Sequence, residues 1–248
     1  MVKVMLITGA SRGIGAATAR LAAAQGYALC LNFRERQDAA EQLVQELQDS
    51  GARAIAVEAD IANEAQVAKL FATLDNTFGQ LDVLVNNAGM IGRQARLDTM
   101  DEARLQRVFA VNVFGSFYCA REAVKRMSTR YGGRGGAIVN VSSIAAKLGA
   151  PNEYVDYAAA KGAIDSMTLG LAKEVAAEGI RVNGVRPGVI ETDIHASGGE
   201  PGRVARLQAS VPLGRGGQPQ EVAQSIIWLA SDKASYISGA ILDVSGGR

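Results

Sequence analysis

Residues 2–15 read VKVMLITGASRGIG, and the reading of this stretch decides the fold. Its first seven residues are a short, nearly unbroken apolar run, the pattern of a strand covered on both faces. Gly9, Gly13 and Gly15 follow, and a helical pattern starts at Ile14. Glycine lets a chain turn tightly and lets backbone N–H groups approach a ligand at the positive end of a helix, where a pyrophosphate is received. The spacing is GxxxGxG, not the commoner GxGxxG, so the context decides: a strand before, a helix after and a second strand close behind.

Working outward, strand-like runs at 2–8, 28–33, 53–58, 82–86, 137–142, 181–186 and 240–244 alternate with amphipathic segments at 14–25, 38–50, 64–78, 102–130 and 155–178. This alternation predicts an α/β fold, a seven-stranded parallel sheet with helices on both faces, doubly wound by right-handed crossovers. No linker or repeat divides the chain, so residues 1–248 are expected to form a single Rossmann-type domain. Residues 191–215 break the rhythm with a loop-rich stretch, a candidate substrate lid.

The totals narrow the function classes. The chain has 248 residues and 48% hydrophobic content, enough for a large core. Lys and Arg total 26 against 25 Asp and Glu, so no overall field draws a polyanion, and a small molecule rather than nucleic acid is the expected partner. Cys30 and Cys119 form no CxxC pair, so no thiolate metal site is indicated and no metal is expected. The chain enters its first strand at once instead of running through a signal-like apolar segment, and no window supplies the roughly 20 apolar residues of a membrane span. A cytoplasmic protein with no membrane partner is expected.

The end of the second strand reads LNFRER at residues 31–36. An acidic residue there would bond a ribose hydroxyl and repel a 2′-phosphate. Here Asn32, Phe33 and Arg34 stand instead, with Arg12 in the glycine turn. Two guanidiniums can hold one phosphate by charge-assisted bonds, so NADP(H) is expected; the plainer alternative is that Arg34 and Arg36 begin a solvated helix. Asp60 follows the third strand, and NNAG at 86–89 ends the fourth, where Ala88 and Gly89 leave room for a flat ligand.

Residues 154–161 read YVDYAAAK. Side chains at i and i+4 share a helix face, so Tyr157 sits over Lys161 while Tyr154 sits over Ala158. Tyr157 can donate a proton to a developing alkoxide, and a nearby lysine together with the positive nicotinamide ring would bring its pKa down by about 3 from about 10, roughly 4 kcal/mol of differential interaction. Ser142 and Ser143 end the fifth strand, where a hydroxyl can bond a substrate oxygen. Asn112 is a polar amide in an otherwise apolar helical stretch, either buried with a partner or serving a ligand.

Taken together, TGASRGIG, NNAG, the Asn of VNVFG, VSS, YAAAK and RPGVIET resemble the short-chain dehydrogenase/reductase family, in the family's order and over essentially the whole chain. The resemblance implies a catalytic tetrad of Asn112, Ser143, Tyr157 and Lys161, with the Asn holding a water that relays protons from the Lys. It also implies a dimer of dimers and a cofactor held near Gly9, Ser11, Arg12, Gly13, Ile14, Gly15, Asn32, Arg34, Asp60, Ile61, Asn86, Ala88, Gly89, Tyr157, Lys161, Pro187, Gly188, Ile190 and Thr192. Two departures stand out. Ser143 lies fourteen residues before Tyr157 instead of the family's usual thirteen, leaving Ser142 as the alternative serine, and Ser245 stands where Asp is common.

The implied activity is hydride transfer between nicotinamide and an alcohol/carbonyl substrate, whether a sugar, polyol, small ketone or β-ketoacyl thioester. For the last, Lys125, Arg126, Arg130 and Arg134 would dock an acidic carrier, although cations at a helix end need no such role. A non-catalytic NADP-binding sensor or interaction module on the same fold is the alternative. Tyr154 reads as a packed or surface aromatic, with substrate contact as the alternative, and His195 as an exposed loop residue of the lid. Apolar positions on two sides of the helices at 102–130 and 155–178 predict a homo-oligomer.

Overall fold

The computed structural model describes residues 2–248. In chain order the elements are β1 (Val4–Ile7), α1 (Gly13–Ala24), β2 (Ala28–Phe33), α2 (Gln37–Asp49), β3 (Ala54–Glu58), α3 (Glu64–Phe78), β4 (Val83–Asn86), α4 (Glu102–Phe109), α5 (Gly115–Met127), β5 (Gly136–Val141), α6 (Ala145–Leu148), α7 (Val155–Val175), β6 (Ile180–Pro187), α8 (Ile194–Ser197), α9 (Arg203–Leu207), α10 (Pro219–Ala230) and β7 (Ile241–Val244). The seven strands form one parallel sheet in the order β3-β2-β1-β4-β5-β6-β7. The order reverses between β1 and β4, and in open sheets of this kind ligands bind beyond the carboxyl ends of the strands at that point.

Side-chain alternation along each strand splits the core in two. Met5, Ile7, Leu29, Leu31, Val83, Val85 and Val139 face α1, α2 and α10. Leu6, Cys30, Leu84, Ile138 and Val182 face α3, α5 and α7, with Phe71, Leu70 and Met127 packed between. Burial on both faces is why the strands read as unbroken apolar runs. Helix starts follow local chemistry: Asn63 accepts a bond from the Gln66 N–H at 3.1 Å, and Asp101 from that of Arg104 at 2.8 Å.

The segment at 102–130, expected as one helix, is interrupted. Residues Ala110–Phe114 form a π-turn between α4 and α5. Asn112 sits in it, and its Nδ2 donates to the Val108 carbonyl at 2.9 Å and to that of Met90 at 2.9 Å, while its Oδ1 accepts from the Met90 N–H at 3.2 Å. Such wide turns occur mostly where a helix meets a functional site. Further along, the lid segment leaves and returns at one point, because Glu191 N–H donates to Gly217 O and Gly217 N–H to Val189 O, both at 2.9 Å.

Candidate active site

A cleft of about 760 Å³ crosses the carboxyl ends of the strands, from Phe33, Arg34 and Asp60 at one end to Ser143, Tyr157, Lys161 and the lid at the other. The glycine turn is shaped for close approach. Gly9 and Gly13 have φ of 61° and 55°, where other residues are strained, and a Cβ on Gly9 would lie 2.8 Å from the Ala88 Cα. Thr8 Oγ1 accepts from the N–H groups of both Asn87 and Ala88 at 3.0 Å. The Asn87 amide donates to the carbonyls of Thr8 at 2.8 Å and Gly9 at 3.0 Å. A turn held this way from β4 and open toward the cleft fits a bound dinucleotide.

Most expected cofactor residues line this cleft: Gly9, Ser11, Arg12, Gly13, Ile14, Arg34, Asp60, Ile61, Ala88, Gly89, Pro187, Gly188, Ile190 and Thr192. Three expectations change. Asn32 reaches the cleft wall, but its amide is consumed by the fold, donating to Ala59 O at 2.9 Å and accepting from Gly9 N–H at 3.3 Å. Asn86 lies beneath the cleft and donates to Asn140 Oδ1 at 3.0 Å; its neighbour Asn87 reaches the wall instead. Gly15 is also absent from the wall, and is small because a Cβ would lie 2.6 Å from the Gly9 carbonyl.

Arg12 and Arg34 are both half-exposed, Arg12 turned toward α8 and Arg34 at the Asp60 end of the cleft. Arg12 bonds Ser197 Oγ at 3.2 Å and lies 3.7 Å from Asp193, while Arg34 pairs with Glu35 and approaches Asp60 at 3.9 Å. Arg107 also lines this end and holds Asp60 at 3.0 Å. Sequence reading missed Arg107, because nothing within α4 distinguishes it from an ordinary solvated arginine.

At the other end the two serines separate. Ser142 is buried and donates to the Lys161 carbonyl at 3.1 Å, a structural bond. Ser143 lines the cleft with Tyr157, its Oγ accepts from the Ala145 N–H at 3.1 Å, and it acts to lower the Tyr157 pKa. In the loop before α7, Ala150 and Asn152 take left-handed φ of 44° and 61°. Lys161 Nζ lies 5.6 Å from the centre of the Tyr157 ring and donates to the Val141 carbonyl at 2.7 Å. Asn112 is fully buried and does not line the cleft; a Cβ on Gly89 would lie 2.9 Å from its Oδ1 and 3.5 Å from Lys161 Nζ, so the two flank that glycine.

In the protein alone, burial pushes the Tyr157 pKa up to about 12, against smaller lowering effects of Ser143 and Arg203, and burial draws Lys161 down to about 8.

Tyr154 is buried and also lines the cleft, with the Arg203 guanidinium 4.8 Å above its ring. Arg203 and Arg206 join α9 to Glu153 and Glu200. His195 is more enclosed than expected: its Nε2 donates to Ile190 O at 2.9 Å, and burial lowers its pKa. The basic group at the end of α5 is largely neutralised, Arg126 by Asp75 and Glu122 and Lys125 by Glu122. Among the described residues no cluster of His, Cys, Asp or Glu is arranged to hold a metal ion. No helix there is long and apolar enough to cross a membrane.

A chain with this sheet, turn and Ser-Tyr-Lys group invites comparison with known dehydrogenases. Residues 9–248 match the family model described as enoyl-(acyl carrier protein) reductase. The chain is 53% identical over 245 residues to the uncharacterized oxidoreductase YgfF of Escherichia coli (strain K12), covering 99% of each. It superposes with a TM-score of 0.92 on a Brucella melitensis 3-ketoacyl-(acyl-carrier-protein) reductase complexed with NADH, at 34% identity over 99% of this chain and 98% of that one. It superposes with a TM-score of 0.90 on a blue fluorescent protein from a metagenomic library in complex with NADPH, at 36% identity over 99% and 97% of the two chains. The chain belongs to the short-chain dehydrogenase/reductase family and is an oxidoreductase of that type.

Proposed function

We propose that the protein is an NADP(H)-dependent oxidoreductase moving a hydride between nicotinamide and an alcohol/carbonyl substrate. The observation that carries this is one cleft lined by Ser143, Tyr157 and Lys161, with Lys161 Nζ 5.6 Å from the Tyr157 ring centre, and also by Arg12 of the glycine turn and Arg34 after β2. The bound nicotinamide would supply or accept the hydride. Tyr157 donates its proton to the substrate oxygen as negative charge develops there, and Ser143 donates a second hydrogen bond that fixes that oxygen. Lys161 supplies the cation that favours the resulting phenolate. Asn112 holds Met90, and with it the loop beside the nicotinamide end.

Preference for NADP(H) is supported by Arg12 in the glycine turn and Arg34 after β2, both lining the cleft, although Arg12 bonds Ser197 and Arg34 stands beside Glu35 and Asp60. Around Ser143 and Tyr157 the walls are mainly apolar, with Ile91, Ile144, Leu148, Val189 and Leu207. Of the basic group expected to dock an acidic carrier, Lys125 and Arg126 are already paired with Glu122 and Asp75, which favours a small, largely neutral carbonyl compound over an acyl chain on such a carrier. A cytoplasmic location fits Cys30 and Cys119, both buried and unbridged. Association as a dimer of dimers fits the exposed Phe114 and Phe117 on one side of α5 and Leu169 on α7.

The cofactor reading is tested by initial rates with NADPH and NADH. Replacing Arg34 by Ala should raise the KM for NADPH by about tenfold, as expected for one lost charge-assisted contact, and leave NADH nearly unchanged. An equal change for both would mean that Arg34 does not face the 2′-phosphate.

A further inference from the structure

Tyr157 is useful only if the first turn of α7 is held still, and that turn has little of its own to hold it. Tyr154 at the N-cap makes no side-chain capping bond. The loop leading in carries two left-handed non-glycine residues, Ala150 and Asn152, so the backbone there is strained, not stiffened by regular structure. The grip comes from Asp156, the residue before Tyr157. Its carboxylate is wholly buried and receives two bonds from one guanidinium: Arg104 Nε donates to Oδ2 at 2.8 Å and Nη2 to Oδ1 at 3.2 Å.

Arg104 belongs to α4, two helical turns before Asn112, and its remaining nitrogen Nη1 donates to the Arg93 carbonyl at 2.6 Å. Gly92 makes room for this, since a Cβ there would lie 2.9 Å from Arg104 Nε. The loop between β4 and α4 is thus tied at Met90 to Asn112, at Arg93 to Arg104, and at Ala95, whose N–H donates to the Glu153 carbonyl at 3.1 Å. We propose that Arg104 and Asp156 are a positioning pair that fixes the Tyr157 hydroxyl against Ser143 by locking the start of α7 to α4 and to the loop after β4. A planar guanidinium is well suited to such a lock, because its fork fixes direction as well as distance, and a lysine cannot make all three bonds at once.

The inference rests on Tyr157 being the proton donor, so Tyr157→Phe is measured first; if that variant still turns over, the functional reading has failed and not the pair. With that control in place, kcat, carbonyl KM, NADPH Kd and melting temperature are measured for Asp156→Asn, Arg104→Lys and the double variant Arg104→Gln/Asp156→Asn. Misplacing a reacting group by an ångström costs far more rate than binding, so each single variant should lose at least about tenfold in kcat with carbonyl KM and NADPH Kd within about twofold. The double variant, an uncharged pair that can still hydrogen-bond, should recover part of kcat relative to either single change. Folded single variants with unchanged kcat would overturn the proposal, and so would a loss shared equally by kcat and NADPH binding. If Asp156→Asn does not fold, Arg104→Lys, which keeps the charge, gives the reading; failure of both to fold would mark the pair as structural only and overturn it as well.

Discussion

Tyr157 and Lys161 are pushed by burial in opposite directions, and both shifts favour the neutral form. With Tyr157 near 12, its proton stays in place across neutral pH. Carbonyl reduction, which consumes that proton, should then hold a flat kcat from pH 6 to 8, whereas alcohol oxidation, which needs the phenolate, should quicken as pH rises; pH–rate profiles in both directions check this. Lys161, drawn from 10.5 to about 8, binds its proton less well in the folded chain than in the unfolded one. The unfolded state therefore holds more protons between about pH 8 and 10.5, and stability from this group rises with pH across that window. Below it the buried lysine costs about 3 kcal/mol. Replacing Lys161 by Met should abolish turnover yet raise the melting temperature of the cofactor-free protein at pH 7, with the gain shrinking above pH 8; a lower melting temperature at pH 7 would contradict the buried-charge account.

At the scale of elements, the site is braced by a buried polar chain. Asn86 on β4 donates to Asn140 on β5, which donates to Thr168 on α7 at 2.9 Å, which donates to the Ile164 carbonyl at 2.8 Å. Replacing Asn140 by Ala leaves Asn86 Nδ2 only its 3.3 Å bond to the Ser116 carbonyl and removes the donor to Thr168 Oγ1, and should cost about 2 kcal/mol in chemical unfolding. That chain also explains what could be read from sequence. The glycine turn and the Tyr157–Lys161 pair were legible because each is local: positive φ demands glycine, and i, i+4 spacing places two side chains on one face. Asn86 and Asn32 are ambiguous in the sequence because an asparagine at a strand end satisfies its amide equally well inside the fold or on a ligand. The π-turn at Asn112 was hidden because AVNVF keeps an unbroken helical pattern. Arg104 and Asp156 lie 52 residues apart, and no local signal joins them.

For the whole molecule, two long-range features bear on function. The segment at 191–215 is anchored at its neck by Ile190 and Gly217 and held to Glu153 by Arg203 and Arg206 of α9. The exposed Phe114, Phe117 and Leu169 leave apolar surface on α5 and α7 that association would cover. Sedimentation at micromolar concentration should give a tetramer, and Phe117→Glu should lower the mass; a monomer for the parent chain would contradict the proposed dimer of dimers. The central claim is that Tyr157 gives up a proton to substrate in a site where cofactor binds independently of that hydroxyl. The most direct test is NADPH-dependent reduction over a panel of sugars, diketones, quinones and β-ketoacyl thioesters, run beside Tyr157→Phe with NADPH binding measured in both. The account predicts turnover reduced by at least about a hundredfold, as loss of a general acid requires, with NADPH affinity retained; turnover that survives the loss of the hydroxyl would contradict it.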